Sequence, residues 1–207
     1  MVDRVIAQEY IPGEDNAGWV CGCSFNAASK LLACAIKRKL RMYPPHRGGS
    51  TLAVSQSNPE LVELCGRIAR RLGIVGHCNI EFRRDVRDGR YYYIETNLRF
   101  PSNVEFDEAS GVPTAWYSYL AAAELPTPEP APRVEGVVYL DLGLDLCSAW
   151  HSRTPPWVLA RQYAPILAGR SSGDYFTWDD PAPALWRLWD LATRAAESCR
   201  PFPRQQA

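Results

Sequence analysis

The sequence predicts an α+β fold, in which a mostly antiparallel sheet is flanked by helices and followed by a small helical C-terminal extension. Three observations predict this class. Strand-length apolar runs follow one another across short turns, one segment changes to a helical period, and a proline-rich run divides the chain. Short turns join antiparallel strands, because parallel strands need a long crossover. We therefore expect a main part at 1–125, a linker at 126–133 and an extension at 134–207.

The first elements are predicted to be strands. Residues 2–11 begin as a strand, and two segments rich in small and apolar residues, 19–27 and 30–42, are typical of an antiparallel pair. The Pro and Gly content of 43–50 indicates a loop, and 51–56 resumes a strand.

The period then changes to that of a helix. Asn58 is a suitable N-cap, Pro59 occupies the first helical position, and Gly73 ends the segment. An apolar stripe at helical spacing is formed by Leu61, Leu64, Cys65, Ile68 and Leu72.

The later elements follow the same signals. They are strands at 76–85 and 91–97, a short helix near Asp107, a helix at 113–125, a strand at 136–142, and Trp-rich helical segments of which the last runs from Asp180 to about Ser198.

Composition excludes several classes of function. The chain has 207 residues, and its 23 basic residues balance 23 acidic ones, so no overall field favours nucleic acid or a membrane surface. No apolar run approaches the roughly 20 residues of a membrane span, and the N-terminus has no signal-peptide pattern. We expect a cytoplasmic protein. Its seven cysteines lack zinc-site spacing and are expected to be reduced and mostly buried.

The segment 77–99 holds the most informative pattern. A two-residue turn at Asp88-Gly89 would mix core and acidic side chains on each face of the hairpin. A three-residue loop at 87–89, with Gly89 in the left-handed region, instead pairs Glu81 with Glu95. The sorting of apolar side chains favours the second register, which also pairs Asn79 with Asn97.

Two carboxylates would then lie directly across from one another, with the Cβ atoms of the two residues about 5 Å apart and a carboxamide one pleat further on. Such a set is typical of magnesium bound to a nucleotide, since magnesium takes oxygen ligands and keeps positions for water and phosphate. The metal ligands are therefore predicted to be Glu81, Glu95 and Asn97. In the structural alternative, Arg83 or Arg99 neutralises the two acids.

This hairpin resembles the metal-binding hairpin of the ATP-grasp superfamily, whose second strand usually ends in Glu-x-Asn-x-Arg. The resemblance covers about residues 2–125, and it is closest to predicted carboxylate-amine ligases of that superfamily. Those ligases share the run from Lys39 to Pro45, the Gly48-Gly49 loop and an Asp-Pro-x-Pro start to the closing helix. The chain departs from the pattern at Asn79, where many members carry an arginine.

The resemblance also implies a nucleotide site. The segment from Gln8 to Asp15 is similar to the hinge strand of the family, so Gln8 and the main chain around Ile11 would meet the adenine edge. Asp15, or Glu14, would hold the ribose hydroxyls. The implied cofactors are ATP and magnesium or manganese.

Three basic residues are candidates for the chemistry. Lys39 and Arg41 are expected to share a strand face and to touch phosphate or an acyl phosphate; alternatively, they belong to a solvated edge strand. Arg99 would orient a substrate carboxylate or balance the charge of Glu95.

The resemblance implies the C-terminal part of an ATP-grasp ligase, with 1–125 as a partial ATP-grasp domain. The complete enzyme would use MgATP to convert a carboxylate into an acyl phosphate that an amine attacks. The part that covers the phosphates is expected to be missing, so a separate polypeptide is a possible partner and the isolated chain is expected to be inactive. Alternatively, the chain is a non-catalytic nucleotide-binding module or a structural or interaction module.

Overall fold

The structure is a computed structural model that describes residues 6–129 and 132–172 apart from 168 and 170, and part of 180–193. Its strands are β1 (Gly18–Phe25), β2 (Leu31–Tyr43), β3 (Gly49–Ser55), β4 (Gly76–Arg84), β5 (Tyr91–Asn97), β6 (Val138–Leu140) and β7 (Ser171–Ser172). Its helices are α1 (Pro59–Leu72), α2 (Glu105–Ala109), α3 (Thr114–Ala122), α4 (Leu142–His151) and α5 (Pro156–Leu167).

The strands form one sheet in the order β5-β4-β1-β2-β3-β6-β7. Every neighbouring pair is antiparallel except β6 and β7, which run parallel. The predicted α+β class, a mostly antiparallel sheet flanked by helices, is confirmed. Because β6 pairs with β3, the sheet includes a strand from beyond 126–133. The division into domains stays a prediction.

Helix α1 follows its sequence signals. The Asn58 side chain accepts a hydrogen bond from the Leu61 amide, Pro59 begins the helix, and Gly73 ends it with φ of 68°. The apolar stripe of α1 packs on one face of the sheet, except that Leu72 at its end is exposed.

The core on that face is rich in cysteine. Its buried members are Trp19, Cys21, Cys23, Phe25, Cys34, Ile36, Leu61, Cys65, Ala69, Ile74, Cys78, Ile80 and Phe82. The Sγ atoms of Cys21, Cys34 and Cys65 lie within 4.8 Å of one another. All six cysteines of the described residues are free, and five are buried, as expected.

The opposite face of the sheet is covered in part by α2 and α3. The Ser24 hydroxyl donates to the Thr114 carbonyl over 2.6 Å, which joins β1 to α3. Asp107 of α2 lies over Gly22, where an added Cβ would come within 2.3 Å of a carboxylate oxygen. Past these two helices, the face opens into a cleft.

Two predicted elements need comment. Residues 6–14 contain no strand, so the strand predicted at 2–11 is wrong over its described part. This segment is instead held by a side chain, because Arg83 donates to the carbonyls of Ile11, Gly13 and Glu14. The closing helix predicted from Asp180 lies largely outside the described residues, and the seventh cysteine, Cys199, lies wholly outside them. In the part of the chain that is described, no helix combines the length and the apolar character needed to cross a bilayer.

Candidate functional site

A cleft of about 750 Å³ opens on the sheet face opposite α1. Strands β1, β2, β4 and β5 contribute to it, together with the extended segment before β1 and the 46–50 loop. Seven of the ten residues predicted for the site line this cleft: Gln8, Ile11, Lys39, Glu81, Glu95, Asn97 and Arg99.

The β4–β5 hairpin carries the two acids. Glu81 pairs with Glu95, and Asn79 pairs with Asn97, in the register that the sequence predicts. Gly89 has φ of 73° in the connecting loop, also as predicted. The Asn97 amide donates to Glu95 over 2.8 Å. The hairpin therefore brings two carboxylates and two carboxamides to one cleft.

The loop itself differs from the prediction. Asp85 pairs with Arg90 through a 2.9 Å backbone hydrogen bond, so the loop has four residues, 86–89, and not three. The register shifts between Glu81 and Phe82, and Ile94 is the unpaired residue of the resulting bulge. The bulge offsets the extra loop residue, so the acids still face each other.

Lys39 joins this group from β2. Its Nζ donates to Glu81 over 2.8 Å, and the two side chains are 9% and 26% exposed. It reaches β4 across β1 at Gly18, where an added Cβ would lie 2.9 Å from Lys39 Cδ. The positive charge beside the acid pair therefore comes from Lys39, whereas the structural alternative had assigned it to Arg83 or Arg99.

Asn79 is a candidate ligand that the sequence reasoning missed. Its Oδ1 is buried and accepts no hydrogen bond from the described residues, while its Nδ2 donates to the Arg99 carbonyl over 3.3 Å. An unsatisfied buried oxygen next to two carboxylates matches the oxygen ligands of a hard divalent cation. The residues present therefore fit magnesium or manganese. The signal was the pairing of Asn79 with Asn97, which placed both amides on the face of the acids.

The residues predicted to bind the nucleotide are only partly brought together. Gln8 Nε2 donates to the Ile94 carbonyl over 3.2 Å, and the Ile11 carbonyl accepts from Arg83 Nε over 2.7 Å. Asp15 and Glu14 do not line the cleft. The buried Asp15 carboxylate accepts from the backbone amides of Met42 and His46 over 2.9 and 3.0 Å. These bonds brace the connection between β2 and β3.

Arg41 is placed away from the cleft. The register of β2 shifts between Lys39 and Arg41, so the expectation that they share a strand face is wrong. Arg41 instead forms a buried ion pair with Asp145 of α4 and donates to Gln162 of α5.

Lys37 is a second cleft residue that sequence reasoning missed. Its Nζ donates to Asn103 Oδ1 over 2.8 Å and lies 5.4 Å from the centre of the Phe106 ring. Nearby, burial raises the pKa of Asp107 to about 6, although the Lys37 charge opposes the shift. Strand alternation could have found Lys37, because it precedes Lys39 by two residues.

Comparison with known proteins points to one family over part of the chain. The family model for the ATP-binding domain of the carbamoyl-phosphate synthase L chain matches residues 50–124. This stretch includes Glu81, Glu95 and Asn97, whereas Lys39 and Gln8 lie before it. The large chain of carbamoyl phosphate synthase from Thermomicrobium roseum is 48% identical over 50 residues, which are 24% of this chain and 5% of that protein. The match confirms the resemblance to the ATP-grasp superfamily.

Two solved structures give weaker likenesses. The biotin carboxylase subunit of pyruvate carboxylase has a TM-score of 0.45 and 18% identity, over 58% of this chain and 28% of that chain. The ATPase subunit of phosphoribosylaminoimidazole carboxylase from Aquifex aeolicus has a TM-score of 0.42 and 17% identity, over 55% of this chain and 36% of that chain. The chain thus spans about a third or less of these relatives.

Proposed function

We propose that this chain provides the nucleotide-edge and metal-binding part of an ATP-dependent carboxylate-amine ligase. The observation that carries the proposal is the pairing of Glu81 with Glu95 in a cleft that also holds Asn79 and Lys39. Support also comes from the match of residues 50–124 to an ATP-binding domain family, because that stretch contains both acids.

The cleft residues divide the work as follows. Glu81, Glu95 and the two paired asparagines hold magnesium or manganese, and the ion neutralises phosphate charge when it is bound. Lys39 lies at the edge of this set and contributes a positive charge toward phosphate oxygens. Gln8 and the main chain near Ile11 form the adenine edge, and Arg99 orients the carboxylate of the acid substrate. We propose no ribose contact for Asp15 and no catalytic contact for Arg41, since their side chains are engaged elsewhere.

The reaction that we propose for the complete site is transfer of the γ-phosphoryl group of ATP to a carboxylate. The acyl phosphate is then attacked by an amine, which forms the amide and releases phosphate. A separate polypeptide segment would supply the remaining phosphate contacts and exclude water. A cytoplasmic location stays a prediction.

Calorimetry of ATP and ADP binding, with and without magnesium, tests the metal role. We expect magnesium to tighten binding, and we expect Glu95→Gln to remove that dependence because one charged oxygen ligand is lost. Glu63→Gln on the exposed surface of α1 is the matched control and should behave as the wild type. Equal nucleotide affinity with and without metal would contradict the proposal.

A second candidate is a nucleotide-binding module without catalysis. The ion pair between Lys39 and Glu81 favours it, because each group then already has a protein partner. Trapping of acyl phosphates with hydroxylamine across a panel of carboxylates separates the two candidates. We expect turnover by the isolated chain below about 0.1 per second, against a typical enzyme median near 10 per second. Hydroxamate that forms only after addition of a polypeptide supplying the remaining phosphate contacts would support the ligase.

A further inference from the structure

A second pocket of about 450 Å³ lies on the opposite face of the sheet, beside the start of α1. Its aromatic side chains are Trp19 of β1 and Tyr91 of β5, whose ring centres are 5.7 Å apart in an edge-to-face contact. This volume falls within the range of small-molecule sites. The cleft and this pocket are lined by different residues.

Two arginines line the pocket next to these rings. The Arg38 guanidinium lies 5.6 Å from the centre of the Trp19 ring, and that of Arg84 lies 5.9 Å from the centre of the Tyr91 ring. Arg38 Nε donates to the Asn16 carbonyl over 2.8 Å, and Arg84 Nε donates to the Gly89 carbonyl over 2.9 Å. No hydrogen bond from their terminal nitrogens occurs among the described residues, so both retain donors for a ligand.

The pocket keeps a net positive charge. Its acidic residue, Asp85, is buried and accepts from Arg87 through Nε and Nη2 over 2.6 to 3.0 Å. These bonds hold the pKa of Asp85 below its usual value, so its charge is already matched. The charges of Arg38 and Arg84 remain. The rim adds polar groups from Gln56, Ser57 and Asn58.

Trp19 gives a separate indication that the pocket lacks a hydrogen-bond acceptor. The side chain lines the pocket and is 5% exposed, yet its indole Nε1 finds no acceptor within the described part of the chain. Buried donors in folded proteins are normally paired.

We propose that this pocket binds a small anion in which a carboxylate or phosphate group adjoins a planar apolar part. The two guanidinium groups take the anionic group, and Trp19 with Tyr91 contacts the planar part. The pocket and the cleft are also lined by adjacent residues of the same strands. Arg38 and Lys39 are consecutive on β2, as are Arg83 and Arg84 on β4, and in each pair one member lines the pocket and the other the cleft.

Calorimetry with phenyl phosphate, benzoate and inorganic phosphate tests the proposal on the full chain. We expect phenyl phosphate and benzoate to bind more tightly than inorganic phosphate, because only they have a planar part. Combined Arg38→Gln and Arg84→Gln substitutions should weaken phenyl phosphate binding at least about tenfold, since charged hydrogen bonds are lost. Arg84→Gln alone should weaken it in part, and its exposed side chain makes misfolding a poor explanation.

Two controls determine where the anion binds. Combined Arg70→Gln and Arg71→Gln substitutions remove the same charge from the exposed end of α1, and Lys39→Met alters the cleft. The α1 substitutions should leave phenyl phosphate affinity unchanged, whereas Lys39→Met reports any phenyl phosphate held in the cleft and should not reproduce the loss expected for the Arg38 and Arg84 variants. A loss of affinity in Lys39→Met that the Arg38 and Arg84 substitutions do not share would place the anion in the cleft and overturn the proposal. An equal loss in both arginine pairs, or no detectable binding, would also overturn it.

Discussion

The two faces of β1 are buried by different means. Toward α1 the strand presents Trp19, Cys21, Cys23 and Phe25, which belong to the apolar core. Toward the cleft it presents Gly18, Val20, Gly22 and Ser24. One face is filled by the apolar side chains of the strand itself. On the other face the residues are small, so side chains from neighbouring elements can lie across the strand.

The small residues on the cleft face determine where charge can be placed. Gly18 makes room for Lys39 to reach Glu81, and Gly22 makes room for the carboxylate of Asp107. Burial of these charged groups costs free energy, which only their partners offset. The α1 face therefore stabilises the sheet, whereas the burial of charged groups on the cleft face offsets part of that stabilisation.

Phe25→Ala should give the largest loss of stability. The Phe25 side chain is fully buried on the α1 face, so its removal leaves a cavity. We expect the free energy of unfolding to fall by about 3–5 kcal/mol in urea titrations. Leu72→Ala at an exposed position is the control, and a similar loss there would break the distinction between core and surface.

Gly22→Ala should have the next largest effect. The added methyl would meet the Asp107 carboxylate, which α2 holds in place and to which Thr114 Oγ1 donates over 2.7 Å. We expect a loss of about 1–3 kcal/mol in the same titrations. Gly49→Ala, where an added Cβ meets nothing within 4 Å, is the matched control. If Asp107→Ala does not partly rescue Gly22→Ala, the contact is not the cause.

The buried Asp107 should make stability depend on pH. Burial raises its pKa from 3.8 to about 6 in the folded protein, so the folded state binds more protons than the unfolded chain between these values. The stabilisation present below the unfolded pKa is therefore lost as the pH rises through about 6. Relative to Asp107→Asn, the wild type should lose about 1 kcal/mol between pH 5 and pH 7.5.

Urea titrations of both proteins at several pH values measure this difference. The difference in stability between the two proteins isolates Asp107 from other groups that also titrate. One of these is His77, whose pKa is lowered by burial to about 4. That shift acts in the opposite direction, since His77 loses stabilisation as the pH falls. Parallel pH profiles for the wild type and Asp107→Asn would show that Asp107 remains ionised in the folded protein.

Lys39→Met should have the smallest effect on stability. Glu81 keeps 26% of its side chain exposed, so water still solvates it after the ion pair is removed. We expect the free energy of unfolding to change by less than about 1 kcal/mol. A clear weakening of MgATP binding with little loss of stability would sharpen the distinction between the two faces. A loss of several kcal/mol would instead make Lys39 a structural residue.

The hairpin illustrates how far the sequence alone can lead. Alternation of apolar and acidic side chains was enough to predict that Glu81 faces Glu95, because a one-residue slip would have mixed acidic and core side chains on each face of the hairpin. The same reasoning gave a loop one residue too short. The longer loop and the bulge at Ile94 cancel in the register, so the pattern holds no trace of either.

The errors at Arg41 and Asp15 have a different origin. Arg41 pairs with Asp145, which is 104 positions away, and nothing local to β2 indicates that partner. Asp15 is satisfied by two backbone amides, which leave no signature in side-chain identity. Local pattern therefore predicted strands, α1 and most of the cleft, whereas long-range partners decided which polar residues reach it.

The buried cysteines of the core also offer a way to measure its transient opening. Burial raises the pKa of the Cys21 thiol and brings that of Cys78 to about 12, so neither forms thiolate readily near neutral pH. Neighbouring thiols donate hydrogen bonds to Cys34 and lower its pKa, but the side chain is only 2% exposed. Reagents can therefore modify these thiols only when α1 separates from the sheet. Their labelling rates would measure how often that layer of the fold opens, without any engineered cysteine.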